Sequence, residues 1–343
     1  MAANRPIDLA DAEWYAHRFV ESDDAFRFIR LPRGDHAGFP FLTDEYLGAH
    51  EIGGDVPTAQ CLAAAGKRPL HLLFHSAFCG STMLLRALDR PGTAMGLSEP
   101  LTLNDVVGIR RRGAPPAAVA RTADAALRLL ARPFGAGEAV VVKPSNMINP
   151  LAELLMKLEP EGRAVFLHAP LETFLISVAR KGLPCRLWAR ELLEGYLREG
   201  FVDLCFAPED YFRHSDLQVA AVGWLAQHAW FARLAERLGP GRLRSLDADA
   251  MAADPPAAIA AVAGHYGLAL SDAAVADIAA GPAFSRHSKS GAAYTPANRA
   301  ADYATAREAY GAEIEMVVEW ARRVAETAGV DLAARYPLLP APA

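Results

Sequence analysis

Short apolar runs alternate with longer amphipathic stretches from Pro69 onward. This alternation is typical of strand and helix units around a parallel sheet. The runs contain mostly Val, Leu, Ile and Phe, as strands covered by helices on both faces require. The predicted strands are 70–75, 93–98, 138–143, 163–168 and 242–247. The predicted fold class is therefore α/β, with a parallel sheet of about five strands and helical additions.

Apolar residues recur at helical spacing between and after these strands. The predicted helices are 82–89, 121–131, 150–158 and 171–179, a helical region from about 186 to 238, and a last helix from about 302 to 328. Asp254 before two prolines predicts a helix N-cap, and Gly264 or Gly267 ends that helix. Because no repeat or low-complexity linker interrupts the pattern, we expect one domain rather than two.

The first 66 residues form a lead-in segment with its own small structure. We expect a helix at 9–20, a strand at 25–32 and a Gly-rich stretch at 51–57. The expected organisation is a segment at 1–66, an α/β core at 67–300, and a C-terminal helix and tail at 301–343.

Composition and charge exclude several classes of protein and of partner. Of 343 residues, 52% are hydrophobic, which excludes general disorder. The net charge of -5 is spread without long blocks of either sign, so nucleic acid is not an expected partner. The four cysteines lack zinc spacing, which predicts reduced thiols. No signal core and no apolar run near the roughly 18 residues of a membrane span are found, so we expect a cytoplasmic protein with no membrane partner.

One strand-to-helix turn has the composition of a phosphate loop. The strand 70–75 leads into Phe78, Cys79, Gly80, Ser81 and Thr82, and a helix follows. Amides at the N-terminus of a helix attract anions, glycine lets the backbone approach closely, and hydroxyls add donors. The alternative interpretation is an ordinary turn capped by Ser81.

Spacing disfavours three other functions for this loop. A metal-dependent NTPase or kinase needs a lysine directly after Gly80, where this chain has Ser81. A cysteine phosphatase needs a Cys-x5-Arg loop, whereas six residues separate Cys79 from Arg86. A thiol hydrolase needs a base beside the cysteine, which no spacing provides.

Later parts of the chain carry further polar groups that suit an anionic ligand. They are Lys143, Ser145 and Asn146 after the third strand, Ser177, Arg180 and Lys181 on the helix after the fourth strand, and Arg286, Ser288 and Lys289 in a Gly-bounded loop. In an open α/β fold, groups at the carboxyl ends of the strands face the ligand.

The order of these motifs resembles that of the sulfotransferase superfamily, and of its bacterial sulfotransferase-like members most closely. The resemblance rests on HSAFCGSTMLLRALD, LSEP and KPSN, and covers residues 70 to about 300. It implies a three-layer, P-loop NTPase-like fold. It also implies transfer of a sulfuryl group from 3′-phosphoadenosine-5′-phosphosulfate (PAPS) to a hydroxyl or amine, without metal and with PAP as product.

The resemblance implies roles for particular cofactor-binding residues. The family's 5′-phosphosulfate loop corresponds to Phe78, Cys79, Gly80, Ser81 and Thr82, its 3′-phosphate site to His168 and Ser177, and its late cofactor loop to Arg286, Ser288 and Lys289. The match at the 3′-phosphate site is looser, since the family usually has arginine where this chain has His168.

The loop departs from the family at Phe78, where a lysine or arginine normally steadies charge on the departing phosphate. We expect Lys143 to supply that cation, because a loose transition state needs positioned positive charge. Glu99, in LSEP, corresponds to a glutamate that takes the acceptor proton in several members. Its alternative role is to cap the turn before Pro100, and His75 and His168 are reserve bases.

The pattern does not name the acceptor, which we expect to be a small molecule or a peptide. Residues 101–116 and 183–215 are the expected pocket walls, the second because it is rich in aromatic side chains.

His71 and His75 have no third ligand nearby, so no metal is expected. A homodimer is one option for assembly. An inactive relative that binds PAP or another nucleotide, and a P-loop phosphotransferase, stay open as alternative functions.

Overall fold

The structure is a computed structural model that describes residues 7–48, 50–285 and 296–340. Within these residues the strands β1 to β8 are Trp14–Val20, Ala25–Arg30, Ile52–Pro57, His71–His75, Ala94–Ser98, Ala139–Lys143, Ala164–His168 and Leu243–Asp247. The helices α1 to α15 are Arg33–His36, Asp44–Leu47, Thr58–Ala64, Ser81–Leu88, Leu101–Arg111, Pro116–Leu130, Ala152–Leu158, Leu171–Arg180, Leu183–Arg198, Asp216–Leu238, Ala248–Ala253, Pro255–Tyr266, Asp272–Ala280, Pro282–Ser285 and Pro296–Ala328. Short 3-10 helices lie at Glu21–Asp23, Asn146–Leu151 and Pro208–Phe212.

The larger sheet is parallel throughout and has the order β5-β6-β4-β7-β8. This confirms the predicted α/β class and its five strands. Each strand ends at the predicted residue and begins one residue later than predicted. The chain crosses over repeatedly in this order, so β4, the strand that leads into the candidate loop, lies at the centre of the sheet.

Helices cover both faces of this sheet, as the apolar strands require. On one face Leu72 and Phe74 of β4 pack with buried residues of α5, α6 and α10. On the other face Leu73 packs with the apolar sides of α4, α8 and α12. Alternate residues of one strand therefore belong to different cores, which gives three layers.

The N-terminal segment differs from the prediction. The expected helix at 9–20 is wrong, because Trp14–Val20 is the strand β1, which pairs antiparallel with β2 in a three-stranded sheet with β3. Five of the seven residues of this strand are buried, including Trp14, Tyr15 and Phe19. Aromatic residues that must pack closely on neighbouring strands favour this pairing over a one-sided helix.

The C-terminal half contains the predicted helices with shifted bounds. The region from about 186 to 238 is two helices, α9 and α10, and the last helix begins at Pro296. The Asp254 side chain accepts the Ala257 amide at the start of α12, and Gly267 ends that helix in a left-handed conformation. In the described part of the chain, no helix has both the length and the hydropathy that a membrane crossing demands.

The helix after the candidate loop packs closely against β5, and Gly96 makes this approach possible. A Cβ at Gly96 would lie 3.0 Å from Leu85 Cγ and 3.3 Å from Asp89 Cβ. We expect Gly96→Ala to lower the free energy of unfolding by about 1–3 kcal/mol, because overpacking forces neighbours apart. Urea unfolding measures the change.

Gly264→Ala is the matched control. This glycine is exposed within α12, and a Cβ there would meet no atom within 4 Å. Alanine should raise the free energy of unfolding by about 0.4–1 kcal/mol at this site. Equal unfolding midpoints for Gly96→Ala and the wild type would contradict the close packing of α4 on β5.

Candidate active site

The parallel register brings polar strand ends to one edge of the sheet. Ser98 at the end of β5 lies opposite Lys143 at the end of β6. Glu99 follows, and its amide donates a hydrogen bond of 2.6 Å to the Lys143 carbonyl. The central strand β4 ends at His75 on the same edge. His75, Glu99 and Lys143, which the sequence proposes as catalytic, are therefore brought together where open α/β folds bind ligands.

The loop between β4 and α4 has an uncommon backbone conformation. Ala77, Phe78 and Gly80 have positive φ angles of 72°, 51° and 80°, and α4 begins at Ser81. Amides in such left-handed turns converge into an anion-binding concavity, to which the positive end of the α4 dipole adds. The N-cap is Gly80, and no described side chain caps the helix there. Ser81 therefore does not cap α4, and anion binding by this turn stays a prediction.

Replacing Gly80 by any residue with a side chain is expected to strain the loop. Its φ of 80° disfavours any residue with a Cβ, and a Cβ there would lie 3.1 Å from Met251 Cε and 3.3 Å from Met83 Cε. The loop backbone therefore lies close to α11 and to the first turn of α4. The Ser81 and Thr82 side chains follow in that turn and are largely buried.

Backbone strain is concentrated around this edge of the sheet. Of the six non-glycine residues with positive φ in the described ranges, three are Ala77, Phe78 and Glu99. Each left-handed residue of this kind costs on the order of 1–3 kcal/mol, and such residues cluster at functional sites. The backbone at 77–80 and at 99 is therefore the strongest structural indication of an active site.

Lys143, which is buried, and Glu99, which is partly exposed, form an ion pair. The Nζ atom of Lys143 donates to Oε1 of Glu99 over 2.5 Å, and the Lys143 side chain has no exposed surface. The Phe41 ring centre lies 4.9 Å from the same Nζ atom, within cation–π range. A buried ammonium is tolerated only with an anionic partner, so Glu99 and Lys143 hold each other in place.

His75 lies beside the same carboxylate. Its Nδ1 atom accepts a hydrogen bond of 3.1 Å from the Ala77 amide, and its Nε2 atom lies 3.8 Å from Glu99 Oε1. Since Nδ1 is an acceptor, neutral His75 carries its proton on Nε2, on the side of Glu99. His75 thus connects the loop backbone to the Glu99–Lys143 pair.

Phe78 packs against aromatic rings rather than projecting a charge. Its ring centre lies 5.9 Å from Phe174 on α8 and 5.3 Å from Trp188 on α9. The Nζ atom of Lys181, just after α8, lies 4.9 Å from the Phe78 ring centre. The loop therefore has a lysine at its surface, contributed by a different element.

Cys79 is buried within the loop. Burial raises the pKa of its thiol, although hydrogen bonds with Ser81 and the charge of Lys143 act in the opposite direction. A protonated, buried thiol is a poor nucleophile. This agrees with the rejection of thiol chemistry on sequence grounds.

The residues proposed for the 3′-phosphate lie on two other elements, β7 and α8. Ser177 is buried on α8, with its Oγ atom 3.5 Å from the Tyr303 hydroxyl. His168 stacks on Phe166 and contacts His228, on the face of the sheet opposite α4. Burial lowers the pKa of His168 to about 4, against the opposing effect of Asp247. His168 is therefore neutral at pH 7, and its phosphate-binding role stays a prediction.

Arg286, Ser288 and Lys289 lie outside the described residues. The elements on either side of them are α14, which packs on α4, and α15, which packs on α8. The described elements before and after these three residues therefore pack on α4 and α8, the two helices that border the loop. The predicted clamp role of these three residues stays a prediction.

The sequence interpretation missed two aromatic residues, Phe41 and Tyr46. Phe41 covers Lys143, and its ring lies 5.4 Å from that of Tyr46. Burial, followed by the charges of Glu45 and Glu99, raises the pKa of Tyr46. Both residues belong to the N-terminal segment, and no local pattern links them to a strand end about a hundred residues later.

Three solved structures show what the chain is similar to. A sulfotransferase domain from the curacin biosynthetic pathway is 11% identical, with a TM-score of 0.41 over 78% of this chain and 100% of that chain. The sulfotransferase domain of the Synechococcus PCC 7002 olefin synthase is 14% identical, with a TM-score of 0.42 over 78% and 98%. Sulfotransferase STF1 from Mycobacterium tuberculosis H37Rv is 17% identical, with a TM-score of 0.40 over 73% and 78%.

A scan against protein-family models finds no match, and neither does a search of curated proteins. The three structures are sulfotransferases, the family that the sequence motifs resemble. Superpositions of such low identity assign no role to any residue of this chain. The roles of its residues are argued only from the contacts described above.

The burial of Cys79 predicts slow alkylation. Cys205 is exposed, whereas Cys79 is buried with a raised thiol pKa. Iodoacetamide at pH 8 should therefore label Cys205 first, and mass spectrometry of the folded protein locates the label. Guanidinium-unfolded protein, in which both thiols react, is the control. Labelling of Cys79 as fast as Cys205 in the folded chain would contradict this account of the loop.

Proposed function

We propose that this protein is a sulfotransferase that moves a sulfuryl group from PAPS to a hydroxyl or amine of an acceptor. One observation carries the proposal: the left-handed loop around Gly80 lies at the same sheet edge as the buried Lys143, Glu99 and His75 cluster. The loop suits a phosphate, and the carboxylate suits an acceptor proton. Sulfuryl transfer needs both functions in one cleft.

The loop fits a single phosphosulfate better than a magnesium-bound triphosphate. Ser81 stands where a nucleoside triphosphate loop needs lysine, so the donors are amides together with the Ser81 and Thr82 hydroxyls. We propose that Phe78 to Thr82 hold the 5′ end of PAPS and that Ser177 contributes at its 3′ end. When bound, PAPS supplies the activated sulfuryl group.

Glu99 is the proposed base for the acceptor. Lys143 lies against the Glu99 carboxylate and fixes its position, and His75 faces the same oxygen. The loop amides and the N-terminus of α4 stabilise the negative charge that grows on the departing phosphate. The acceptor then approaches from the side of Phe41 and Tyr46, which border the ion pair.

Phe78 favours a second candidate function. The loop position that carries a cation in active sulfotransferases is apolar here, as expected of a relative that binds PAP without catalysis. Both candidates bind PAP. Turnover of PAPS with a panel of hydroxyl and amine acceptors distinguishes them.

Ligand-dependent thermal unfolding tests the donor. Without magnesium, PAP at about 100 times its Kd should stabilise the fold by about 2.7 kcal/mol, because it binds only the native state. Gly80→Ala should lose this stabilisation, since alanine is strained at a φ of 80°. Gly264→Ala, remote from the loop, should keep it. Stabilisation only by ATP with magnesium would contradict the proposal and favour a phosphotransferase.

Glu99→Gln tests the base. Loss of a general base should lower the PAPS turnover rate by about 10²–10⁴-fold. Because Glu99→Gln also leaves the buried Lys143 without its anion, PAP affinity close to that of the wild type is the required check that the loop is intact. Glu45→Gln, an exposed change in the neighbouring segment, is the control and should retain turnover. Turnover of Glu99→Gln equal to that of the wild type would exclude Glu99 as the base.

A further inference from the structure

The two sides of β4 are held differently at its carboxyl end. Toward β7, the parallel pairing continues to His75, which lies opposite Leu167, and the Ser76 amide then donates to the Leu167 carbonyl over 3.1 Å. Toward β6, the described pairing ends at Leu72. The end of β4 therefore depends on a different contact for its position relative to Lys143, the last residue of β6.

Asn149 makes that contact. It lies in the 3-10 helix Asn146–Leu151, which closely follows β6, and its side chain is fully buried. Its Nδ2 atom donates to the His75 carbonyl over 3.1 Å and to Gln227 Oε1 over 2.8 Å. Because both acceptors are oxygen atoms, they use both N–H groups of the amide and fix which way it points.

Two long helices hold Asn149 and its 3-10 helix in position. Gln227 on α10 is buried, and its Nε2 atom donates to the Gly223 carbonyl over 3.0 Å, so its Oε1 atom is the end that meets Asn149. The buried Tyr196 of α9 donates from its hydroxyl to the Asn146 carbonyl over 2.7 Å. A side chain supported in this way by packed helices keeps a constant position.

The Asn149 amide acts on His75 through the backbone. The His75 carbonyl that accepts it belongs to the peptide that leads into the loop. The Nδ1 atom of the His75 ring accepts the Ala77 amide in the same stretch, so the direction of this peptide also sets the ring. Asn149 thus connects the segment after Lys143 to the first residues of the loop.

We propose that Asn149 is a positioning residue, whose side-chain amide holds the end of β4, and with it His75 and the start of the loop, at a fixed distance from Lys143. Its effect on turnover rests on the proposed function, since these are the groups proposed to carry out the transfer. Asn149 acts through His75 and not on the ligand. A merely structural amide would stabilise the fold without affecting the His75 ring, which is the difference to measure.

Nitrogen NMR of isotope-labelled histidine rings tests the proposal without a ligand. At about pH 8, where histidine is ordinarily neutral, His75 should show a proton on Nε2 and an acceptor at Nδ1. His75→Gln identifies its peaks. Asn149→Leu removes both donors at similar size and should move these peaks, because the Ala77 amide loses its alignment with Nδ1. PAPS turnover should fall by about 10- to 100-fold, as expected for a small misplacement.

Ile148→Val is the matched control. It removes one methyl group from a buried neighbour in the same 3-10 helix, so it should lower the urea midpoint and leave the His75 peaks and turnover unchanged. Gln227→Leu leaves the hydrogen bond to the His75 carbonyl in place and should keep the His75 peaks. Combined with Asn149→Leu, it should recover part of the lost stability, because Gln227 no longer lacks its partner, but not the peaks.

The outcomes separate this proposal from the proposed function. If Asn149→Leu lowers the urea midpoint but leaves the His75 peaks as in the wild type, the positioning role is overturned. Equal movement of the peaks in Ile148→Val would also overturn it, because the peaks would then report stability. Asn149→Ala removes the same donors and gives the same readings if the leucine variant does not fold. If the peaks move as expected but the wild type does not turn over PAPS, the proposed function fails and the alignment of His75 by Asn149 stands.

Discussion

The ion pair between the buried Lys143 and Glu99 is the constraint on which the candidate active site depends. An ammonium without exposed surface needs an anion beside it, and Glu99 meets this need with a left-handed backbone at the end of β5. Phe41 of the N-terminal segment covers the same ammonium. The pair thus connects the parallel sheet to the antiparallel segment and fixes a carboxylate where ligands of this fold class bind.

Much of the fold was predictable because its signals are local. Five apolar runs became five parallel strands, since buried strands must be apolar on both sides. The predicted helix at 9–20 was wrong because Trp14–Val20 pairs with a strand that follows it. Its aromatic residues pack in a core shared with that strand and with α5 and α6, and a single-segment pattern does not reveal these partners.

The sequence predicted only those site residues that lie in a motif directly after a strand. The loop around Gly80, Glu99 and Lys143 each follow a strand, so the parallel topology alone brings them together. Phe41 and Lys181 belong to other elements, and only tertiary packing carries them to the ion pair and to Phe78. His168 also ends a strand, but its side chain projects to the opposite face, where Phe166 and His228 surround it.

A crystal structure of the protein with PAP, grown without magnesium, would show whether the loop between β4 and α4 is the phosphate site. We predict that the 5′-phosphate of PAP lies within hydrogen-bond distance of the amides between Phe78 and Thr82. Glu99 should still be paired with Lys143 at the edge of the same cleft. PAP bound elsewhere, or a loop between β4 and α4 with no phosphate contact, would contradict the assignment of this loop and the function built on it.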